Sequence, residues 1–201
     1  SADFTGSAGN SVSVEFTGDI KSAMNADGNR SIYFYDTNTT RTYGIDGNYV
    51  EGEGDLIAAD ADSIFISTSG SDIFTGNGNN LVFVYGDNAG VQGGAGNDDI
   101  RLAGGGSNVK IDTGSGDDMV SGTSAYDLDL NLNEGNNTVS FTTMAGGTVT
   151  AGDGNNSISI STASGAAISL GDGQNTYAGN YMKNNASLTM GNGANTVDLY
   201  D

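Results

Sequence analysis

Residues 152–170 read GDGNNSISISTASGAAISL, and this stretch contains two short apolar alternations separated by small residues. Ile158 and Ile160 alternate with serine in the first run, and Ile168 and Leu170 do so in the second. Alternation of apolar and polar residues is the period of a β-strand that is buried on one face. A glycine-containing segment precedes each run, and glycine accepts the positive φ angles of tight corners. The stretch therefore predicts two short strands and two corners.

The same pattern returns along most of the chain. An Asn or Asp closes each glycine-rich turn, and neighbouring examples lie 18 to 20 residues apart. These closing residues are Asp62, Asn80, Asp98, Asp118, Asn137, Asn156, Asn175 and Asn195. A unit of this length cannot bury its apolar face alone and is expected to stack on its neighbours. We predict an all-β fold, a β-solenoid of about ten coils with roughly 19 residues and two short strands per coil.

The repeats differ in regularity along the chain. Residues 62–201 are predicted to form regular β-solenoid repeats, continuous with residues 1–61 as one domain. We expect residues 1–61 to form irregular N-terminal coils with an acidic loop, in which 11–14 and 31–34 fit the strand pattern. Residues 51–62 carry five acidic residues and are interpreted as a bulging loop or a defective coil. The last repeat stops inside an apparent strand, so we expect the chain to continue into further coils or to stack on a copy of itself.

Composition and charge exclude several classes of function. The chain has 25 acidic and six basic residues, a formal net charge of −19, which disfavours a nucleic-acid partner. It has no Cys and no His, so disulfides, zinc–thiolate sites and the common nucleophile–base pairs are absent, and we do not expect an enzyme. No apolar run is long enough to predict a membrane span. The high glycine content is also typical of disordered linkers, but the strand alternation favours a folded chain.

Two neighbouring turns carry a recognisable pattern. Residues 93–101, GGAGNDDIR, match the form G-G-x-G-x-D-x-apolar-x, and residues 113–121, TGSGDDMVS, match it apart from the first glycine. The pattern resembles the calcium-binding β-roll repeats of the repeats-in-toxin (RTX) family. Ca²⁺ takes six to eight oxygen ligands, which bent glycine turns and an Asp can supply. The resemblance implies a Ca²⁺ site formed by Gly94, Gly96, Asp98, Gly114, Gly116 and Asp118.

The other turns depart from this pattern because Asn replaces the Asp. An Asn side chain has an oxygen but no charge, so these turns would bind Ca²⁺ weakly. Stacked Asn side chains can instead form a hydrogen-bonded ladder along the solenoid. Both interpretations stay open at this point. Asp153 and Asp172 fall at the variable position of the turn, and we interpret them as solvated surface or as part of a second cation site.

The one-sided, nineteen-residue form also resembles repeats in secreted bacterial S-layer proteins and large adhesins. It implies a structural module of a secreted, extracellular cell-surface protein (S-layer or extracellular fibre), stabilised in part by Ca²⁺. The expected partners are other copies of the chain, end to end or in a lattice, and a cell-surface glycan. The alternatives are a calcium-dependent adhesin segment and an ice-binding solenoid. Thr138, Ser157, Thr176 and Thr196 line up on the first strand of each coil, but such residues are also ordinary on the outer face of a strand, and the turns lack the Thr row that ice binding needs.

Overall fold

A computed structural model describes the C-terminal three quarters of the chain almost completely. The described residues are 50–52, 54–58, 60–68 and 70–200, together with the backbone of residues 2–5, 11–14, 20–24, 30–34, 39–43 and 49. Regular structure within these ranges is entirely β. In them we find no helix with the length and apolar character to cross a membrane.

Most strands belong to two sheets of eleven strands each, which we call sheet 1 and sheet 2. A separate antiparallel pair consists of β1 (Ala2–Thr5) and β2 (Ser11–Val14). Sheet 1 contains β6 (Tyr49–Gly52), β8 (Ile64–Ser67), β10 (Leu81–Val84), β12 (Asp99–Leu102), β13 (Gly106–Ser107), β15 (Met119–Tyr126), β17 (Thr138–Ala145), β19 (Ser157–Ser164), β21 (Thr176–Gly179), β22 (Tyr181–Lys183) and β24 (Thr196–Leu199). Sheet 2 contains β3 (Ile20–Met24), β4 (Arg30–Phe34), β5 (Thr39–Tyr43), β7 (Asp55–Ile57), β9 (Asp72–Gly76), β11 (Gly90–Gly93), β14 (Lys110–Asp112), β16 (Asp129–Asn131), β18 (Thr148–Ala151), β20 (Ala167–Leu170) and β23 (Ser187–Met190).

From β6 onward the chain alternates between the two sheets and rises by one coil with each circuit. Apart from the strands at the ends of the sheets and the short β13 and β22, each strand pairs in parallel with the strands of the coil before and the coil after it. In the regular coils these lie about 19 residues away, as Val120 and Ile158 do from Val139. The predicted β-solenoid is therefore confirmed. It has about eight turns, compared with the ten predicted, because the first third of the chain pairs differently.

Strands β3, β4 and β5 form an antiparallel extension of sheet 2. β3 pairs with β4, and β4 pairs with β5, in antiparallel register, whereas β5 pairs with β7 in parallel. Residues 11–14 and 31–34 were predicted to belong to coils, and this prediction is wrong. Successive strands that are neighbours in one sheet run antiparallel through short connections, whereas a coil must visit the opposite sheet before it returns.

The acidic segment, residues 51–62, forms a shortened coil. β7 lies within it and supplies a strand to sheet 2. Leu56 is fully buried between the two sheets, in line with Ile73 of the next coil. Of the two interpretations of this segment, the described residues fit the defective coil.

Buried side chains stack in columns along the solenoid axis. Each sheet turns alternate residues inward, and each coil places a residue directly over the one before it. Sheet 1 contributes the column Phe65, Val82, Ile100, Val120, Val139, Ile158 and Tyr177, and sheet 2 contributes Ile73, Val91, Ile111, Leu130, Val149 and Ile168. Each such side chain stabilises the fold by about 1.5–3 kcal/mol when it leaves water. The narrow core is thus continuous along the stack, and a coil depends on its neighbours for burial.

Candidate functional site

A hydrogen-bonded ladder runs through the glycine-rich turns. Each of these turns, which we call motif turns, joins a strand of sheet 2 to the next strand of sheet 1. The Asn156 N–H donates to Oδ1 of Asn175 in the next coil at 3.0 Å, and the Asn137 N–H donates to Asn156 Oδ1 at 3.1 Å. We call this column the inner ladder, and its members are Asn80, Asp98, Asp118, Asn137, Asn156, Asn175 and Asn195. The Asn ladder predicted as one of two interpretations is therefore formed.

The amide nitrogens of the Asn residues close their own turns. Asn80 Nδ2 donates to Gly78 O at 3.0 Å. Asn156 Nδ2 makes the equivalent contact with Gly154 O at 3.2 Å. Each Asn thus accepts one backbone hydrogen bond from the preceding coil and donates to a carbonyl of its own turn. These buried side chains have their hydrogen-bonding groups satisfied by the protein itself.

Asp98 and Asp118 occupy the same ladder but lack that amide. Both are about 2% exposed. Their Oδ1 atoms are part of the inner ladder. Asp98 Oδ1 accepts the Asn80 N–H at 2.9 Å, and Asp118 Oδ1 accepts the Asp98 N–H at 2.8 Å. Their Oδ2 atoms are buried and have no hydrogen-bond partner. An ionised carboxylate only accepts hydrogen bonds, so Oδ2 cannot replace the amide that donates to the turn carbonyls elsewhere.

Burial disfavours the charge on both carboxylates. It raises the pKa of Asp98 to about 6, although hydrogen bonds from Asn80 oppose the change, and the nearby Asp118 charge adds to it. Burial likewise raises the pKa of Asp118, against the hydrogen bond from the Asp98 N–H. The Thr113 hydroxyl lies beside Asp118 but donates to Leu132 O at 3.2 Å. A proton or a cation on these oxygens would relieve the desolvation.

The glycines of the predicted site lie in the same two stacked turns. The Ser115 N–H donates to Gly94 O, and the Gly96 N–H donates to Ser115 O, each at 2.9 Å. Gly96, Gly114 and Gly116 have φ angles of +133°, +88° and +142°, a region that L side chains rarely adopt. The structure therefore brings all six predicted site residues together in two consecutive motif turns.

The space beside Asp98 is bounded by oxygen atoms. A Cβ on Gly93 would lie 2.8 Å from Asp98 Oδ2 and still closer to the Thr113 carbonyl oxygen. Because Gly93 has no side chain, one carboxylate oxygen and one carbonyl oxygen from consecutive turns face the same position. Two carboxylates with carbonyl oxygens form an oxygen-only donor set, which suits a hard cation such as Ca²⁺. Among the described residues no group of three or more His, Cys, Asp or Glu is placed to hold a metal.

Two further ladders on the exposed side of the motif turns were not predicted. In one, the Asn97 N–H donates to Asn79 Oδ1 at 2.8 Å, and in the other the Asp172 N–H donates to Asp153 Oδ1 at 2.9 Å. Asp153 and Asp172 are exposed, as predicted, but they also link consecutive coils. Hydrogen bonds from Asn192 lower the pKa of Asp172. The paired polar residues at 79–80, 97–98, 117–118, 136–137 and 155–156 were the signal in the sequence for the first of these ladders.

One alignment of the repeat requires a correction. Asp62 was placed in register with Asn80, but its Oδ1 accepts the Asn79 N–H at 2.7 Å and so belongs to an exposed ladder. Ser63 occupies the inner position, since its N–H donates to Asn80 Oδ1 at 3.1 Å. The shortened acidic coil shifts the pattern by one residue at this point.

No protein-family model, curated protein or solved structure matches the chain.

Proposed function

We propose that this chain is a structural module of a secreted bacterial cell-surface protein, of the S-layer or extracellular-fibre kind, stiffened in part by Ca²⁺. The observation that carries the proposal is the pair of buried Oδ2 atoms of Asp98 and Asp118, which have no partner. Gly94, Gly96, Gly114 and Gly116 provide the backbone of the two turns that would hold the ion with them. Bound Ca²⁺ would supply the positive charge that lets both carboxylates stay ionised while buried.

The small number of charges at this site favours an extracellular location. Ca²⁺ affinity follows the charge count and the rigidity of the site, and extracellular modules with weak sites bind at roughly 10⁻⁴–10⁻³ M. This site has only two carboxylates, and the neighbouring turns carry neutral Asn. Its affinity for Ca²⁺ therefore belongs at the weak end of this range. Such a site fills only where Ca²⁺ is abundant, as it is outside cells.

A structural role agrees with how the chain distributes its polar groups. The two sheets form an uninterrupted stack whose turns are linked by three ladders, so neighbouring coils are held together through side chains as well as strands. We propose that the module associates with copies of itself, end to end or in a lattice. A catalytic role has little support, because the chain has no His or Cys and the buried Asp residues are accounted for by the turns.

Replacing the two carboxylates by amides tests the proposal directly. In the Asp98→Asn/Asp118→Asn double variant, the new Nδ2 atoms should donate to turn carbonyls as Asn80 does. An unsatisfied buried polar group costs roughly 1–3 kcal/mol. We therefore expect the variant in EGTA to melt several degrees above wild type in EGTA, and to show no response to Ca²⁺. Wild type should be stabilised by Ca²⁺ yet keep its strands in EGTA. Thermal unfolding followed by far-UV circular dichroism measures both effects.

Single substitutions complete the experiment. Asp98→Ala and Asp118→Ala should each weaken Ca²⁺ binding in a calorimetric titration. Asn156→Ala is the matched control, since it interrupts the same ladder away from the carboxylates and should lower stability equally with and without Ca²⁺. A Ca²⁺ response that survives in the double Asn variant would place the ion elsewhere. Complete unfolding of wild type in EGTA would mean that more turns bind metal than these two.

The alternatives from the sequence are an adhesin segment and an ice-binding solenoid, and one observation favours the second. The outer faces of β17 and β19 carry hydroxyl side chains in register, with Thr138 over Ser157 and Ser140 over Ser159. An ice-binding face of this kind should give thermal hysteresis, and Ser159→Tyr should abolish it. Freezing-point measurements that show no hysteresis for wild type would exclude ice binding.

A further inference from the structure

A shallow groove of about 340 Å³ crosses the outer face of sheet 2 at β9, β11, β14 and β16. Two rows of outward side chains border it, each with one residue per coil. The first row reads Asp72, Gly90, Lys110 and Asp129. The second row reads Phe74, Gln92, Asp112 and Asn131. The groove lies on a different face of the solenoid from the motif turns.

Gly90 creates the depression. It occupies an outward strand position at which the neighbouring coils carry Asp72 and Lys110. Its backbone angles lie outside the left-handed region, so the position does not require glycine for its conformation. A Cβ there would contact the side chain of Asp72 alone, with Oδ1 nearest, Cγ at 3.3 Å and Cβ at 3.9 Å. Backbone conformation therefore does not require glycine at this position, and a larger residue would fit only if the flexible Asp72 side chain moves aside.

The polar groups around the groove offer both donors and acceptors. Asp72, Gln92 and Lys110 make no side-chain hydrogen bond or ion pair within the described part of the chain, so their polar atoms face solvent. Carboxylates accept, an ammonium group donates, and an amide does both. Hydroxyl groups, which donate and accept at once, complement such a mixture. Phe74 adds a half-buried aromatic side chain at the groove, a surface on which an apolar ring face can pack.

The charges disfavour strongly charged ligands. Lys110 lies between the two carboxylates of its row and opposes a cationic ligand. The other acidic groups are partly used, because Asp112 Oδ1 accepts Asn133 Nδ2 at 2.7 Å and Asp129 Oδ1 accepts the Thr148 hydroxyl at 2.7 Å. Anionic ligands meet three carboxylates here and a net charge of −19 on the whole chain. A neutral ligand rich in hydroxyl groups fits the groove better than either.

We propose that this groove binds a neutral oligosaccharide. The coils follow one another every ~4.8 Å, a step close to the length of one pyranose residue in a linear glycan. A chain lying along the solenoid axis would meet a new pair of polar groups with each sugar, while one ring packs on Phe74. This assignment does not require the cation site, since the groove residues lie on strands of sheet 2, although Asp112 Oδ1 accepts the Gly114 N–H of a motif turn at 3.2 Å.

Titration with defined saccharides tests the assignment. The probes are cellohexaose and N-acetylchitohexaose as neutral ligands, hexagalacturonate as an anionic ligand and hexalysine as a cationic one. Calorimetry and amide chemical shifts of the whole chain measure binding. We expect at least one neutral probe to bind and to perturb β9, β11 and β14. Gly90→Val, which fills the groove, should weaken that binding by about tenfold or more, and Phe74→Ala should also weaken it.

Ala167→Val provides the matched control. Ala167 lies in the same outward row as Gly90, four coils further along and outside the groove, and is exposed. This variant should fold and bind like wild type, and valine suits both strand positions. Melting curves check that Gly90→Val is folded. Failure of both neutral probes to bind, neutral binding that survives Gly90→Val, or binding of hexalysine or hexagalacturonate alone would each overturn the proposal.

Discussion

At the scale of single residues, one atom distinguishes the two kinds of motif turn. Asn and Asp have nearly the same shape, and both place Oδ1 in the inner ladder. The second atom donates a hydrogen bond in Asn80 and Asn156, whereas in ionised Asp98 and Asp118 it can only accept one. The Asn turns are therefore complete without a ligand, and the Asp turns require a proton or a cation. The same backbone thus supports turns that depend on the solution and turns that do not.

This difference predicts an unusual pH dependence without Ca²⁺. Burial raises the pKa of Asp98 from 3.8 to about 6, so the folded chain holds this proton more tightly than the unfolded chain. The resulting stabilisation is fully present below about pH 3.8 and is lost as the pH rises through 6. The difference corresponds to about 3 kcal/mol. We expect wild type in EGTA to become less stable between pH 4.5 and 7.5, as measured by denaturant unfolding, and Ca²⁺ to counter the loss.

Charge-matched variants separate this effect from the general repulsion of an acidic chain. Asp98→Asn removes one of the two buried titrating carboxyls and should make the pH profile shallower. Asp153→Asn removes the same charge from an exposed position whose ladder bond an amide oxygen preserves, so its profile should stay like that of wild type. Identical profiles for the two variants would show that overall charge, and not the buried carboxyl, governs the dependence.

At the scale of strands and turns, the regular part of the fold could be predicted because its signals are local and repeated. The alternation around Ile158 and Ile160 fixes which side chains turn inward, and the nineteen-residue interval places each strand over the next. The six candidate site residues followed from the same turns. The two turns are paired through Gly94, Gly96 and Ser115, and their binding of Ca²⁺ stays a prediction. A short repeat thus specifies strand, corner and register together.

The remaining features could not be predicted from the sequence because they depend on which strands become neighbours. β3, β4 and β5 have a strand pattern similar to that of a coil, and nothing in their alternation distinguishes antiparallel from parallel pairing. The assignment of Asp62 failed because the acidic coil is shorter than the others. The spacing of the repeats does not show at which residue the coil is shortened. The groove depends on Gly90 facing outward between Asp72 and Lys110, a relation between three coils. Such relations become visible only once the register is known.

At the scale of the whole molecule, the two ends of the coil stack differ. β3 and β4 extend sheet 2 with antiparallel strands at one end. At the other end β23 and β24 are the last described strands of the two sheets. Val197 and Leu199 of β24 are 49% and 55% exposed, although Tyr177, directly before Val197 in the column, is fully buried. An uncovered edge with apolar residues is a template for adding strands.

We therefore expect the isolated 201-residue chain to self-associate through this end, weakly and at high concentration, whereas further coils in a longer protein would cover the same edge. Burying two half-exposed side chains contributes only a few kcal/mol of binding free energy. The loss of translational and rotational entropy on association costs roughly 4–15 kcal/mol, so hydrogen bonds between the strand edges must supply the remaining binding free energy. Val197→Lys puts a charge on the surface to be buried and should give a monomer in light scattering. Thr196→Lys adds the same charge one residue earlier on the strand, on the outer face, and should associate like wild type. A wild-type chain that stays monomeric at the highest soluble concentration, or equal association of Val197→Lys and wild type, would contradict this mode of assembly.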